Sequence, residues 1–144
     1  MPQYRVSTNP KFFELRIIHQ FISKSYWAKN IPIELMQKAI ENSLCFAVLH
    51  HTESKDILVG FARMITDKAT FAYLADVFIL EEHRGTGLSK QLMKAILSHQ
   101  DLQGLRRMVL ATRDAHGLYE QFGFKKLSDP QIFMELWEPD VYQN

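Results

Sequence analysis

Apolar positions recur along this chain with two periods, one helical and one strand-like. Residues 7–29 begin with a capping residue and an early proline and then place phenylalanines and isoleucines at helical spacing, which predicts a first helix. Residues 30–42 repeat the helical pattern, with Pro32 in the first turn, and predict a second helix. On this interpretation two helices precede any strand.

The strand-like period begins after the second helix. The runs "LCFAVLHH" and "ILVGFARMIT", joined by the polar "TESKD", predict an antiparallel hairpin. The next run, "TFAYLADVFIL", is apolar on both alternating faces apart from Thr70 and Asp76, so it predicts a central strand that is covered on both sides. After it we expect a helix to about residue 99, a strand at "RRMVLAT", a short helix at "DAHGLYEQFGF" that ends at Gly123, and strands near "FKKL" and "IFMELW". The order α-α-β-β-β-α-β-α-β-β predicts an α/β (α+β) fold with a mixed sheet and helices on its faces.

The length and charge of the chain restrict its class. A chain of 144 residues is expected to form one domain, spanning residues 1–144, that buries roughly two-thirds of the surface its unfolded form exposes. Seventeen Lys and Arg residues against 16 Asp and Glu residues give a formal net charge of +1, so composition gives no reason to expect a nucleic acid, a membrane surface or an acidic partner. The N-terminal residues lack the apolar core of a secretory signal, and no apolar stretch approaches the ~20 residues that span a bilayer. We therefore expect a cytoplasmic protein.

Few side chains suggest thiol or metal chemistry. The single cysteine, Cys45, lies in "SLCFAVL", which favours a small buried hydrophobe over a catalytic thiol. His50 and His51 are adjacent on a predicted strand and point to opposite faces, so we expect no shared metal site. His116, three residues before Tyr119 on the same side of a short helix, either reaches an active site or caps its own helix.

A turn with two glycines, within "EEHRGTGLSKQL" at residues 81–92, lies where the central strand leads into the next helix. The first N–H groups of a helix lack intrahelical acceptors and carry the positive end of the helix dipole, so they attract anions. Gly85 and Gly87 leave room for a phosphate to approach the amides of residues 85–90, and Arg84 and Lys90 add positive charge. The alternative is a tight turn without a ligand. The stretch lacks the six-residue frame of a Walker loop and the third glycine of the dinucleotide fingerprint.

Two motifs resemble one known superfamily. The stretch "HRGTGLSKQL" resembles the acyl-coenzyme A loop of the GNAT N-acetyltransferases, Q/R-x-x-G-x-G/A, with Arg84, Gly87 and Ser89 at the three defined positions, although serine replaces the usual glycine or alanine at the third. Downstream, "LYEQFGF" at residues 118–124 is similar to the helix-to-strand segment of the family. The resemblance covers essentially the whole chain. It implies a sheet splayed between the family's strands 4 and 5, here the central strand and "RRMVLAT", with the pantetheine arm of acetyl-CoA in the opening.

The resemblance also implies an acetyl-CoA-dependent N-acetyltransferase in which an amine attacks the thioester directly. Tyr119 is then expected to protonate or anchor the leaving sulfur, with a core tyrosine as the alternative. Asp76 is expected to receive a cationic amine or to remove its proton through water, with a structural aspartate bonded to loop amides as the alternative. No metal is expected. The expected coenzyme contacts are the backbone of Val77, Phe78 and Ile79, the turn residues Arg84, Gly85, Thr86, Gly87, Leu88, Ser89 and Lys90, and Thr112.

The acceptor amine stays open at this point. The stretch "LADVFIL" is similar to a strand ending in members that acetylate polyamines, but Ala75 stands where those members often have glutamate. A peptide N-terminus, an aminosugar, an amino acid and a polyamine all remain candidates. Helices one and two, with Tyr26 and Trp27 near their junction, are expected to form the wall of the acceptor site. A non-catalytic acyl-CoA sensor is the alternative function, although a sensor has no chemical reason to place Tyr119 and Asp76 in a cleft. The sequence also leaves a homodimer open.

Overall fold

The protein forms a five-stranded sheet with helices on both faces, as described for residues 3–143 by a computed structural model. Neighbouring strands are antiparallel except for the last two, which run parallel, so the predicted mixed α/β sheet is confirmed. Among the described residues no helix has the length and apolarity that crossing a membrane requires. The strands, in their order across the sheet, are β1 (Tyr4–Ser7), β2 (Leu44–Thr52), β3 (Lys55–Thr66), β4 (Phe71–Ile79) and β5 (Arg107–Leu110). The helices are α1 (Leu15–Ile22), α2 (Ile33–Glu41), α3 (Leu88–Ser98) and α4 (His116–Glu120).

Alternate side chains of the sheet supply two apolar cores. In β2, Phe46 and Val48 belong to the core that includes α3, whereas Cys45, Ala47 and Leu49 belong to the core that includes α1 and α2. Successive side chains of a strand point to opposite faces, so a sheet covered on both faces needs apolar residues at every position. This explains why β2, β3 and β4 are nearly continuous apolar runs in the sequence.

The sheet opens between β4 and β5. The two strands pair only from Phe71 opposite Arg107 to Leu74 opposite Leu110. Beyond Leu74, β4 continues to Ile79 while the other chain segment leaves the sheet, so this side of β4 has no partner strand. The splay implied by the family resemblance is therefore present.

A β-bulge bends β4 at the start of the opening. The register with β3 shifts between Phe61, opposite Phe78, and Arg63, opposite Ala75, so two residues of β4 stand against one residue of β3. Asp76 lies in the bulge with φ of 55°, in the left-handed region that aspartate tolerates better than branched residues do.

Three expectations about the elements are wrong. A strand, β1, comes before both helices, and its four residues are too few for their alternation to be recognised without the partner strand β2. The predicted helix at residues 7–29 is a 3-10 turn at Pro10–Phe12 followed by the shorter α1. The strands expected near residues 124–127 and 132–137 are absent, because in the described chain their backbone groups find no partner strand.

Candidate active site

The open side of β4 forms one wall of a cleft of about 1160 Å³. The opposite wall comes from α1 and the loop after it, and the glycine turn closes one end. The cleft therefore lies where the resemblance implies the pantetheine arm. Its lining includes Phe21, Lys24, Tyr26, Trp27, Val77, Phe78, Ile79, Arg84, Ser89 and Tyr119.

Both glycines of the turn have left-handed backbones. Gly85 has φ of 83° and Gly87, at the N-cap of α3, has φ of 81°. A Cβ atom built at either position would meet no other atom within 4 Å. The backbone angle therefore requires glycine here, while the space beside the turn stays open to a ligand.

The turn presents a row of backbone donors without acceptors. In the described part of the chain, no backbone acceptor takes the N–H groups of residues 85–90, and the first bond of α3 runs from Gln91 N–H to the Gly87 carbonyl at 3.1 Å. These groups lie at the positive end of the α3 dipole. The Arg84 Nε donates to the Ile79 carbonyl at 2.8 Å and ties the turn to the end of β4. The exposed Lys90 adds charge, whereas the side chain of Leu88 is buried, so only its N–H is available.

The backbone N–H and carbonyl groups of β4 point alternately to β3 and to the cleft. Leu80 N–H donates to the Val59 carbonyl at 2.8 Å, and the Phe78 carbonyl lies 3.0 Å from where a Cβ on Gly60 would be. Because strand groups alternate in direction, Ile79 and Val77 point their backbone groups to the open side. By the same alternation the backbone groups of Phe78, which lies opposite Phe61, point towards β3, so of the three expected strand contacts the geometry favours Val77 and Ile79. The alternation directs the Ile79 N–H to the cleft, and the Ile79 carbonyl accepts a hydrogen bond from Arg84 Nε.

A second cavity of about 620 Å³ meets the first cleft. The residues that line both are Tyr26, Trp27, Val77, Ala115 and Tyr119. Tyr26 and Trp27, which lie between α1 and α2, thus line both cavities, while the acceptor wall expected from the two helices stays a prediction. The second cavity is further lined by Arg63, Tyr73, Asp76, Thr112, Arg113 and Tyr142.

Tyr119 lines both cavities at the place where they meet. It lies on α4 and is 7% exposed, with its ring edge-on to Phe124 at 5.9 Å between centroids. Burial, with smaller contributions from Tyr26 and Asp114, raises the pKa of its hydroxyl above 10.0, so the phenol stays protonated near neutral pH. Among residues 3–143 no group hydrogen-bonds to this hydroxyl, which distinguishes it from a core tyrosine whose hydroxyl is bonded to a carbonyl.

Asp76 is buried and fully engaged by side chains. One carboxylate oxygen accepts a hydrogen bond from Trp27 Nε1 at 2.7 Å, and the other accepts one from Arg63 Nε at 2.7 Å. The side chain is only 4% exposed at the floor of the second cavity. A carboxylate in an apolar strand has to be paired, and Asp76 is paired with Arg63 and Trp27.

Arg63 is the site residue that the sequence reasoning missed. Its Nη1 also donates to Ser43 Oγ at 3.2 Å, so the guanidinium joins β3 to the segment after α2. An arginine inside the apolar run "LVGFARMIT", across a hairpin from the single aspartate of the next run, was the available signal. The sequence alone does not predict this pair. Regular pairing from the turn between β3 and β4 sets Arg63 opposite Ala75, and it is the bulge that brings Asp76 to Arg63.

Three other candidates lie apart from the first cleft. Thr112 lines only the second cavity, and its Oγ1 accepts a hydrogen bond from Ala115 N–H at 3.0 Å, so it stabilises the turn before α4. His116 is exposed at the start of α4 and is absent from the linings of both cavities. Cys45 is buried, and burial raises its pKa to about 12, which keeps the thiol protonated. In the described part of the chain no three His, Cys, Asp or Glu side chains are grouped as metal ligands.

The chain resembles acetyltransferases in sequence. A family model described as an acetyltransferase (GNAT) domain matches residues 25–137. A Gibberella zeae protein provisionally named as an acetyltransferase is 33% identical over 136 residues, covering 81% of this chain and 75% of that protein. Other curated relatives are longer, and this chain spans 58% and 57% of the length of two of them.

Solved structures have the same fold. A GNAT-family protein of Xanthomonas campestris pv. campestris, provisionally assigned as an acetyltransferase, is 50% identical with a TM-score of 0.92, covering 100% of this chain and 99% of that chain. The N-acetylglutamate synthase of Neisseria gonorrhoeae, complexed with coenzyme A and N-acetyl-glutamate, gives a TM-score of 0.67 over 91% of this chain and 30% of that chain. At 13% identity the latter likeness shows the fold alone.

Proposed function

Because this chain belongs to the GNAT acetyltransferase family, we propose that it transfers the acetyl group of acetyl-CoA to a primary amine of a small molecule or peptide. The amine attacks the thioester directly while both substrates are bound. One observation carries this proposal: Tyr119, a protonated phenol, lies at the junction of two cavities. A two-substrate transfer needs two sites that meet at one proton donor.

We assign the coenzyme to the first cleft. The free N–H groups of residues 85–90 receive its pyrophosphate, with charge from Lys90, while Arg84 holds the turn against β4. The pantetheine arm lies along the open side of β4 and bonds to the backbone of Val77 and Ile79. Each assignment uses a backbone donor that is without a backbone acceptor in the described chain, or a strand side that lacks a partner.

The chemical step requires an oxyanion donor and a proton for the departing thiolate. As the N–C bond forms, negative charge develops on the carbonyl oxygen, and a backbone N–H on the open side of β4, at Val77 or Ile79, donates to it. As the C–S bond breaks, the Tyr119 hydroxyl donates its proton to the sulfur. Phenol and thiol have pKa values of similar size, which suits this transfer.

We assign Asp76 to positioning rather than to proton removal. Both of its oxygens already accept hydrogen bonds, one from Trp27 on the acceptor wall and one from Arg63. These two hydrogen bonds hold Trp27, and with it the acceptor wall, against the bulge of β4. The amine therefore attacks as its free base. The proton that its nitrogen loses as the amide forms passes to solvent, and Tyr119 regains a proton from solvent after protonating the sulfur.

A panel of amines with acetyl-CoA, followed by thiol release, tests the transfer. We expect release that depends on both substrates with at least one of an amino acid, an aminosugar, a polyamine and a peptide N-terminus. Calorimetry with coenzyme A, run in parallel, identifies the alternative function. Tight coenzyme binding without turnover of any amine would indicate an acyl-CoA sensor, for which the fully engaged Asp76 is the supporting observation.

A further inference from the structure

The charges that the second cavity offers to a ligand lie on two adjacent residues. Of the charged side chains that line this cavity, Arg63 and Asp76 form a buried ion pair at 2.7 Å. The other two are Arg113 and Asp114, and none of the ion pairs found within residues 3–143 includes either of them. A ligand in this cavity therefore meets one cation and one carboxylate that the protein has not already paired.

The guanidinium of Arg113 is held in place by an aromatic ring. Its central carbon lies 4.0 Å from the centroid of the Tyr26 ring, within the ~6 Å of a cation–π contact. A guanidinium that lies over a ring keeps the N–H donors of its edge for a carboxylate, which accepts them in pairs. Since Tyr26 lines both cavities, this cation lies beside the place where they meet.

The segment that carries both charges also positions Tyr119. The Thr112 Oγ1 accepts a hydrogen bond from Ala115 N–H at 3.0 Å, and the Ala115 carbonyl accepts one from Tyr119 N–H at 3.4 Å. Arg113 and Asp114 are the two residues between these anchors. Burial is the main cause of the raised pKa of the Tyr119 hydroxyl, and the charge of Asp114 adds to it. The carboxylate thus acts on the same hydroxyl that we assign to the leaving sulfur.

Another part of the second cavity is apolar. Its volume of about 620 Å³ falls in the usual range of small-molecule sites, about 300–1,000 Å³. The apolar and aromatic side chains of its lining include Ile31, Ile65, Tyr73, Leu74, Leu110 and Tyr142. The cavity therefore combines one cation, one carboxylate and an apolar wall.

We propose that the acceptor is a free α-amino acid with an apolar side chain, bound through its carboxylate to Arg113. Asp114 attracts the amino end as an ammonium ion, and the amine attacks after it has lost a proton. A polyamine would place a second cation beside Arg113, and a peptide N-terminus has an amide where the carboxylate is needed. An aminosugar would set hydroxyl groups against the apolar wall. This inference rests on the proposed function, since it directs the amine to Tyr119.

Matched acceptors test the carboxylate. Leucine, phenylalanine and methionine are each compared with the corresponding amide and with the corresponding amine that lacks the carboxyl group, in thiol-release assays with acetyl-CoA. Rates are expressed per concentration of free base, because the three amines differ in pKa. We expect kcat/KM for at least one amino acid to exceed that of its amide and its amine by roughly 10-fold or more, the usual effect of a hydrogen bond to a charged group.

Substitution of Arg113 tests which residue reads the carboxylate. Arg113→Met should raise the KM for the amino acid by roughly 10-fold or more and abolish its advantage over the amide, while Arg113→Lys should restore part of it. Since Arg113 is exposed, we expect the fold to be retained, which a thermal melt checks. The matched control is Arg16→Met, at an exposed arginine of α1 that lines neither cavity, and it should keep the full preference.

The outcomes separate this inference from the proposed function. Amides and amines used as well as every amino acid, or a preference that Arg113→Met leaves intact, would overturn the carboxylate site while acetyl transfer stands. Absence of transfer to any amine would refute the proposed function, and calorimetry with the same compounds on the chain saturated with coenzyme A then decides the inference alone. Binding of an amino acid but not of its amide, lost in Arg113→Met, supports the site. Equal binding of both, or binding of neither, overturns it.

Discussion

Tyr119 is the residue whose chemistry can be isolated most cleanly. Tyr119→Phe keeps the ring packing against Phe124 and removes only the hydroxyl. We expect kcat to fall by roughly 100-fold with little change in the KM for acetyl-CoA, because the hydroxyl acts mainly as charge develops on sulfur. Steady-state kinetics measure this, with a thermal melt to show that the fold is retained. A wild-type rate would exclude Tyr119 as the acid.

The pH dependence of the rate follows from the raised pKa of Tyr119. The hydroxyl donates only when protonated, so its contribution is present at low pH and is lost as pH rises through a pKa above 10.0. We therefore expect kcat to show no loss from this group below about pH 10. A basic limb well below pH 10 that disappears in Tyr119→Phe would contradict the burial argument.

The buried pair of Asp76 and Arg63 makes a prediction for stability. Asp76→Asn leaves the guanidinium without its counter-charge, and removing one partner of a buried pair typically lowers the free energy of unfolding by about 3–5 kcal/mol. Coenzyme A affinity should hold, because the turn is elsewhere. Urea denaturation and calorimetry measure the two quantities.

The double variant Asp76→Asn/Arg63→Met provides the control. Removing the guanidinium as well should restore part of the lost stability, because no unpaired charge then remains buried. If the free energy of unfolding of Asp76→Asn equals that of the native chain, the pair has no structural role. Asp76 is then again a candidate for the general base that takes a proton from the amine.

Among the elements, the turn before α3 is the most direct to test. In Gly87→Val the side chain enters the space assigned to the pyrophosphate, and φ of 81° strains a branched residue. We expect coenzyme A affinity to fall by about tenfold or more, as measured by calorimetry on the folded variant. Gly104→Val is the matched control, because Gly104 also has positive φ and open space but lies outside the coenzyme cleft. Equal coenzyme A affinities of Gly87→Val and Gly104→Val would show that the turn before α3 does not bind the pyrophosphate.

The turn between β3 and β4 depends on one ionised side chain. Asp67 accepts hydrogen bonds from the Thr70 hydroxyl and from the backbone of Ala69, Thr70 and Phe71, and these bonds hold its pKa well below its usual range. Because the folded-state pKa is lowered, the stabilisation is present above the unfolded value of 3.8 and is lost as pH falls below it. We expect Asp67→Ala to lower Tm at neutral pH, with the difference shrinking below about pH 4. A difference in Tm that is independent of pH would contradict this origin.

Periodicity predicts the elements that lie between two layers. The apolar runs of β2, β3 and β4 and the stripe of α3 follow directly from burial, and the turn at residues 85–90 follows from its glycines. Arg63 could not be predicted as the partner of Asp76, because the bulge sets which residues meet across the hairpin. Residues 132–137 have the apolar pattern of a strand but form none, because a strand also needs a partner strand, which the pattern of one segment does not encode.

At the scale of the whole molecule, the proposed coenzyme site links stability to ligand concentration. A ligand that binds the folded state alone stabilises it by mass action. The Tm of the native chain should therefore rise as coenzyme A is added, while that of Gly87→Val should rise less. Calorimetric scans over a series of coenzyme A concentrations measure this. Parallel behaviour of the two proteins would place the bound coenzyme outside the turn before α3.

The proposed phosphate site consists of main-chain groups, and this sets which parts of the molecule can change by mutation. Thr86, Ser89 and Lys90 can be replaced by most residues without removing a backbone N–H, since only proline lacks one. The acceptor wall, by contrast, consists of side chains such as Tyr26 and Tyr142, so each substitution there changes its shape. A lineage built on this fold can thus keep the same acyl donor while it acquires new acceptors, one side chain at a time.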